Sequence, residues 1–417
     1  EVANIQKTPL KNIKTFSHKI PTYSIDSENT RDYDDAFSIM EWSKSSLVLA
    51  AHITDLSDLV HPNSLLFKEA EARISSVYSL ENYIPMIPDE LSNGTFSLKE
   101  GEDRNVLSFI FQLSESGHWD FLKIEPHKIR VHKNLNYNEA DYLIKQGLDF
   151  WELLYKFCQR SLENRLEKGA LNLSRKEFYF DINDTKNIII TAINRDRPSS
   201  RIVEEIAISV NSITGRMFQE ESYPAIYRTQ SSYEIIKDVP EGTELTLDNI
   251  KVDPAKLSTN PGKHSGLGCE FYVQNTSPIR RFGDLVIQHN LKLLIAKQKP
   301  LFKGEDMTRW AELISLRQRK YNRAEREIIK FWKLKYLVQN LGKKFKAKVI
   351  KKLGNNNTEI DIFELDLQVS AEGLKEYEVG KQLLLRVDNV SLEPPKVIAK
   401  NLVIDSDEDL HKINEIN

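Results

Sequence analysis

Ser24-Ile-Asp-Ser-Glu-Asn-Thr-Arg-Asp-Tyr-Asp-Asp-Ala36 carries four aspartates, Asp26, Asp32, Asp34 and Asp35, in ten residues. Carboxylates this close repel one another unless positive charge sits among them. An oxygen-only ligand set suits a hard divalent cation, magnesium or manganese. Such ions commonly act on phosphate esters. The plainer reading is a solvated acidic turn, because clustered charges usually face water. A calcium loop is excluded, since a twelve-residue frame here has neither the glycine at its sharp turn nor the closing glutamate.

The flanks turn this cluster into a statement about fold. In residues 21–25, Tyr23 and Ile25 alternate with polar neighbours, and residues 36–40 and 46–53 are apolar runs of strand length. The aspartates therefore fall in a loop between two strands of one sheet. A loop can turn several carboxylates toward one point, whereas a strand sends successive side chains to opposite faces.

Helical spacing marks 153–169 and 201–218, proline in a first turn marks a helix over 277–298, and 308–341 reads as one long charged helix. Its expected buried positions are Trp310, Leu313, Ile314, Tyr321, Ile328, Ile329, Phe331 and Trp332. Past Gly342 the pattern shortens. Residues 343–350 alternate, 354–357 form a turn, and 358–369, 382–387 and 396–404 read as strands, which predicts a small β-barrel. The fold class is thus α+β. It comprises a leading segment (1–20), a catalytic domain of mixed sheet and helices (21–340), a barrel (341–404) and an acidic, disordered tail (405–417).

Composition permits this: 40% apolar residues fill a proper core, and a net charge of −3 neither requires nor excludes nucleic acid. Cys158 and Cys269 lack metal-type spacing and read as free structural thiols of a reducing compartment. No signal peptide or apolar run long enough to span a bilayer stands out, so a soluble, cytoplasmic protein without membrane association is expected. Nothing in the pattern calls for an obligate protein partner, and a monomer is expected. The chain begins at Glu1 rather than methionine, as a trimmed chain would.

The stretch Asp26 to Ala36 resembles the signature of the RNase II family of exoribonucleases, the RNB catalytic domain. His52-Ile-Thr-Asp-Leu-Ser57, Arg73-Ile-Ser-Ser-Val-Tyr78, Tyr83-Ile-Pro-Met-Ile-Pro-Asp-Glu-Leu-Ser-Asn93 and Ser97-Leu-Lys-Glu-Gly-Glu-Asp-Arg104 resemble the segments that follow it. Arg201-Ile-Val-Glu-Glu-Ile206 with Asn211, Ala225-Ile-Tyr-Arg228, His264-Ser-Gly-Leu-Gly268 and Thr276-Ser-Pro-Ile-Arg-Arg-Phe-Gly-Asp284 continue the likeness in the family's order. The barrel's position resembles the oligonucleotide-binding (OB-fold) barrel that closes such chains. Its aromatics are few (Phe345, Phe363, Tyr377), so Lys343, Lys344, Lys346, Lys348, Lys351 and Lys352 would hold phosphates, unless they simply protect a solvated edge.

The resemblance implies a magnesium-dependent (manganese possible), hydrolytic 3′-to-5′ exoribonuclease that degrades single-stranded RNA to nucleoside 5′-monophosphates. It makes Asp26, Asp32, Asp34 and Asp35 the metal-site residues, with Asp34 and Asp32 catalytic and Asp34 the most sensitive. Members that have lost activity lack some of these aspartates, and this chain has all four. Arg280 resembles the family's arginine at the scissile phosphate, where a planar, permanent cation suits transition-state charge. Arg281 is the second choice, and the bland reading of Arg280 is a helix salt bridge to Asp284. Tyr78 and Tyr137 fall where the family stacks terminal bases, with Phe178 or Phe180 completing a clamp. Glu204 and Glu325 resemble residues that touch ribose hydroxyls, the groups that distinguish RNA from DNA. His264 is expected to make a structural hydrogen bond. The family usually carries nucleic-acid-binding domains ahead of the signature, and only residues 1–25 stand there. Weaker anchoring of RNA and lower processivity are therefore expected. The alternatives are an RNA-binding protein that keeps the fold without turnover, and a nuclease that matures the 3′ ends of stable RNAs.

Overall fold

The computed structural model describes residues 13–78, 83–172, 176–182, 187–194, 196–236, 250–353 and 357–401. The tail at 405–417 and the turn residues 354–356 lie outside these. The chain divides into two compact units. One comprises the chain through Ser174 together with Asp196–Arg319, and the other Arg175–Arg195 together with Lys320 onward.

The first unit is built on seven strands. They are β1 (Lys14–Thr15), β2 (Thr22–Asp26), β3 (Asp35–Trp42) and β4 (Ser46–Thr54), then, after the short ribbon β5 (Val77–Tyr78) and β6 (Tyr83–Ile84), β7 (Asp103–Ser114), β8 (Trp119–Arg130) and β9 (Lys133–Asn136). Their order is β1-β8-β7-β4-β3-β2-β9, with β5 and β6 paired separately. The β3–β4–β7–β8 run is antiparallel, whereas β9 joins β2 and β1 joins β8 in parallel. Alternation explains which face is apolar: Leu47, Leu49, Ala51 and Ile53 of β4 enter the main core beside Leu107, Phe109, Phe111 and Leu113 of β7.

Helices α1 (Leu65–Arg73), α2 (Tyr137–Lys145), α3 (Trp151–Glu167), α4 (Pro198–Glu220) and α5 (Phe282–Ile295) precede the long α6 (Gly304–Gln339). Trp151, Leu154 and Phe157 of α3 and Ile202, Ile206 and Val210 of α4 cover the apolar sheet face. Asn136 and Glu139 cap α2 reciprocally, which fixes its start at the end of β9. The segment after His264 closes against α3 with Gly268 at φ +67, where a Cβ would stand 2.9 Å from the Arg165 carbonyl oxygen.

Two sequence expectations are corrected here. The helix expected from Ser277 begins at Phe282. Residues 277–281 form a turn instead, because the Phe282 amide donates to the Ile74 carbonyl (2.8 Å) and the Ser277 amide to the Asp284 carboxylate (2.9 Å). On α6, Trp310, Ile314 and Trp332 are buried as expected, but Ile328 and Phe331 are both 39% exposed. The charged run between Tyr321 and Ile329 is exposed all round, so no apolar stripe continues through it.

In the second unit, β10 (Lys176–Ile182) and β11 (Ile188–Asn194) form a hairpin. Small ribbons β12 (Tyr227–Thr229), β13 (Glu234–Ile235), β14 (Ile250–Lys251) and β15 (Lys256–Ser258) belong to the first unit. Then β16 (Lys344–Lys352), β17 (Asn357–Ile362), β18 (Leu367–Glu372), β19 (Gln382–Leu392) and β20 (Pro395–Asn401) close into a five-stranded barrel in the order β16-β17-β18-β20-β19, consistent with an OB-fold. The single strand expected over 358–369 is two strands, β17 and β18, folded back on each other in antiparallel register. Phe345 lies in the barrel core and is unavailable for stacking, while the lysines of β16 alternate outward.

A buried polar chain crosses the sheet: Thr22 to Ser38 (2.8 Å), Ser38 to His52 Nε2 (3.1 Å) and His52 Nδ1 to Ser108 (2.8 Å). Burial pushes His52 down to about 3, so the folded state keeps it neutral where the unfolded chain, near 6.5, would protonate. Its contribution is complete above pH 6.5 and is lost as pH falls toward 3. Stability from denaturant titrations across this range should fall more steeply for the native protein than for His52→Asn. The slopes should differ by about 1.4 kcal/mol per pH unit, and parallel curves would reject a neutral buried His52.

Candidate active site

Antiparallel pairing of β3 with β4 sets Asp35 opposite Ile53, and the Thr54 amide donates to the Asp34 carbonyl (2.9 Å). Asp26 ends β2 and Asp35 begins β3, so the four aspartates occupy the loop end of the sheet as the sequence predicts. Helix α5 is tied to the same end. Gln288 accepts from the Leu56 amide (2.9 Å) and donates to the Thr54 carbonyl (2.7 Å). Lys292, almost wholly buried, bridges Asp55 and Asp58 at 2.7 Å each. The turn that leads into α5 is thereby held over the aspartates.

Arg280 lies in that turn. Its Nε donates to Asp34 Oδ2 (3.0 Å) and its Nη2 to Ser277 Oγ (2.7 Å), while the Ile279 amide donates to Asp34 Oδ1 (2.8 Å). Its side chain is 41% exposed, and Nη1 makes no hydrogen bond among the described residues. The helix salt bridge to Asp284 belongs to Arg281 instead (2.6 Å). Burial works against the charge of Arg280, but Asp34, with Tyr78, Asp284 and Asp35 adding to it, outweighs burial and raises the guanidinium pKa.

The aspartates differ in surroundings. Burial pushes Asp34 well above the usual carboxylate range despite Arg280. Burial and then Asp35 push Asp26 up to about 8, and burial pushes Asp35 up to about 6. Asp32 Oδ2 accepts from the hydroxyls of Tyr78 (2.5 Å) and Tyr83 (3.2 Å), whose rings stack with centroids 5.1 Å apart. The neighbourhood of Asp32 raises both phenols, Tyr83 up to about 12, with burial the larger cause.

Donor chemistry and charge both fit a divalent cation. Four carboxylates gather at this end of the sheet, Asp34 paired with Arg280, and burial holds Asp26 and Asp35 above the usual carboxylate range, with Asp35 adding to the rise of Asp26. The side chains do not form a finished shell. Among the described residues no group of three or more His, Cys, Asp or Glu side chains stands ready to hold an ion, because Asp32 is turned to the tyrosines and Asp34 to Arg280.

The other candidates fall in several places. Tyr78 is beside Asp32, with its ring 48% exposed. Tyr137 follows Asn136, the register partner of Asp26, and its ring lies under the Arg197 guanidinium at 5.6 Å. Glu204 bonds Arg201 (2.7 Å), while its neighbour Glu205 is buried against Arg165 and Ser161. Glu325 is exposed on α6 in the second unit. Phe178 in that unit lies under the Lys333 ammonium (4.5 Å), and Phe180 is buried. His264 acts through its backbone and a tilted ring contact with Tyr272. Its backbone exchanges hydrogen bonds with Cys269, while its buried Nδ1 makes none. Sequence reasoning missed Tyr83 and Ser277. Both stood inside quoted motifs, but only the fold shows that one holds Asp32 and the other Arg280.

Residues 14–297 match the RNB domain family model. The chain is 26% identical over 425 residues to ribonuclease R of Thermotoga maritima, covering 89% of this chain and 59% of that protein. It spans about half the length of the curated relatives it matches. RNase R of Mycoplasma genitalium, solved with ribose-methylated single-stranded RNA, superposes with a TM-score of 0.80 at 17% identity, over 94% of this chain and 72% of that one. Yeast Ssd1, described as a pseudonuclease, superposes with a TM-score of 0.68 at 14% identity, over 92% of this chain and 54% of that one. Likeness at these identities speaks for the fold. Together with the family match over most of its length, it places this chain in the RNB-domain family.

Proposed function

We propose that the chain is a divalent-metal-dependent hydrolytic exoribonuclease that removes nucleotides from the 3′ end of single-stranded RNA as nucleoside 5′-monophosphates. The observation that carries this reading is the pairing of Asp34 with Arg280 within a group of four retained aspartates. A fold shared with a pseudonuclease does not decide turnover, and the four aspartates beside Arg280 are what supports it here. Two unpaired buried cysteines support a reducing, cytoplasmic setting. No helix among the described residues is long and apolar enough to cross a membrane.

Asp26, Asp32, Asp34 and Asp35 would hold magnesium or manganese, which when bound neutralises phosphoryl charge and activates water. The chain's own residues supply the rest. Arg280 is held from two sides by Asp34 and Ser277, which leaves Nη1 to donate to a phosphoryl oxygen as negative charge builds there. The exposed face of Tyr78 offers a stacking surface to the terminal base, and its hydroxyl ties that surface to Asp32. Water attacks phosphorus, the bond to the 3′ oxygen of the preceding nucleotide breaks, and that oxygen takes a proton. Tyr137 and Glu204 contribute at the strand's path, and Arg281 through its place beside Arg280.

Incubation with 5′-labelled RNA and a matching DNA, with magnesium or chelator, tests this. RNA alone should shorten from its 3′ end, only with metal, and Asp34→Asn should bind RNA without cutting it. RNA bound but uncut by the native chain in magnesium and in manganese would favour a binding protein. Arg280→Gln should lower kcat by about 10²-fold or more with little change in RNA affinity. An equal loss in KM alone would make Arg280 a ground-state contact. Tyr78→Ala should raise KM for short oligonucleotides more than Tyr78→Phe does, and identical effects would shift the role from ring to hydroxyl.

A further inference from the structure

Arg280 also lines a cavity of about 250 Å³ within the first unit. Arg228 and Arg281 share its wall, with Asp284 as its carboxylate and Ser75, Gln274 and Gln318 as neutral polar groups. The charges do not balance. Asp284 is committed to Arg281 (2.6 Å) and to the Ser277 amide (2.9 Å), and Arg280 is committed to Asp34. Arg228 has one long contact, from Nη1 to Gln274 Oε1 at 3.5 Å, and among the described residues no carboxylate lies in salt-bridge range of it. The Nε of Arg281 is buried and makes no hydrogen bond. A half-buried guanidinium without a counter-ion is costly unless an anion completes it. Burial first, with Arg281 adding to it, lowers the Arg228 pKa, and Tyr272 and Asp284 offset this only in part.

We propose that this cavity is an anion site for a phosphate monoester. Guanidinium groups bind phosphate oxygens through paired N–H donors, and Arg228 with the free edge of Arg281 offers such donors on one wall. Size sets the class further. The volume lies just below the usual range of small-molecule sites, so it admits a phosphate with its sugar and not a polynucleotide strand. The identity of the ligand as a nucleoside 5′-monophosphate rests on the exoribonuclease reading. Arg280 then stands between the reacting carboxylates and a compartment that receives the released product. Leu257 borders this cavity and also a neighbouring one of about 350 Å³, lined by Ser258, Thr259, Ser315 and Arg319 among others. That second cavity gives the product a polar path outward.

Calorimetric titration of the whole chelator-treated protein with inorganic phosphate and with adenosine 5′-monophosphate tests the site without relying on turnover. The native chain should bind each, and the nucleotide more tightly if it is the ligand. Equal affinity would mark inorganic phosphate as the ligand. Arg228→Gln should weaken binding by about tenfold or more. Gln318 is exposed at the rim, so Gln318→Glu sets a repelling carboxylate there without disturbing the core, and it carries the test should Arg228→Gln fail to fold. No phosphate bound by the folded native chain, or binding unchanged in Gln318→Glu, overturns the site. RNA shortening with neither form of binding rejects the site and leaves the nuclease standing. Phosphate bound and lost in Gln318→Glu, in a protein that cuts no RNA, supports the site and removes the nuclease reading.

Discussion

Asp34 gives both of its carboxylate oxygens to one turn, 246 residues further along the chain: one to the Arg280 guanidinium and one to the Ile279 amide. Its carbonyl meanwhile accepts the Thr54 amide from the neighbouring strand. One residue therefore joins the acidic loop, the end of β4 and the turn before α5. That join is expensive in isolation, because a fully buried carboxylate loses its hydration and only well-placed donors repay it. It holds because α5 is stitched down independently by Gln288 and Lys292. With those contacts in place, the turn has little freedom to carry Arg280 elsewhere.

The remaining carboxylates show a different balance. A core built for stability alone would not gather Asp26, Asp32 and Asp35 around a single such pair, since each added negative charge raises the cost of ionising the others. The protein tolerates the group by pairing Asp34 with Arg280 and by lending Asp32 two phenol donors. Such local conflict between charge and burial is the expected mark of a site kept for chemistry.

Much of this was legible from residues alone, and the failures are instructive. Strand β2 announced itself by alternation, β3 and β4 by apolar runs of strand length, and the aspartates by density. The start of α5 did not, because Ser277-Pro278 satisfies every local rule for a helix N-terminus. What overrides those rules is tertiary: the Phe282 amide finds Ile74, and the Asp284 carboxylate reaches back to Ser277. Residues 358–369 read as one strand because their alternation survives the turn between β17 and β18. Periodicity carries no record of chain reversal when the turn lacks glycine or proline. Ile328 and Phe331 were misjudged for the opposite reason, as apolar residues on a helix whose charged middle packs against nothing among the described residues.

Fold likeness reaches both ribonucleases and a pseudonuclease, so the sheet, the helices and the barrel cannot separate a catalyst from a binder. The separation has to come from groups whose only use is chemical. A bound RNA strand needs cations along its backbone and faces for its bases, and it gains nothing from four carboxylates, which repel it. Retaining all four beside Arg280 costs both stability and RNA affinity. That cost is intelligible when the carboxylates attract a cation of higher charge, which reverses the sign of the site toward phosphate. On the proposed reading, the arginines lining the cavity beyond Arg280 extend the same logic, since positive charge that continues past the point of cleavage would draw the product away from the strand end.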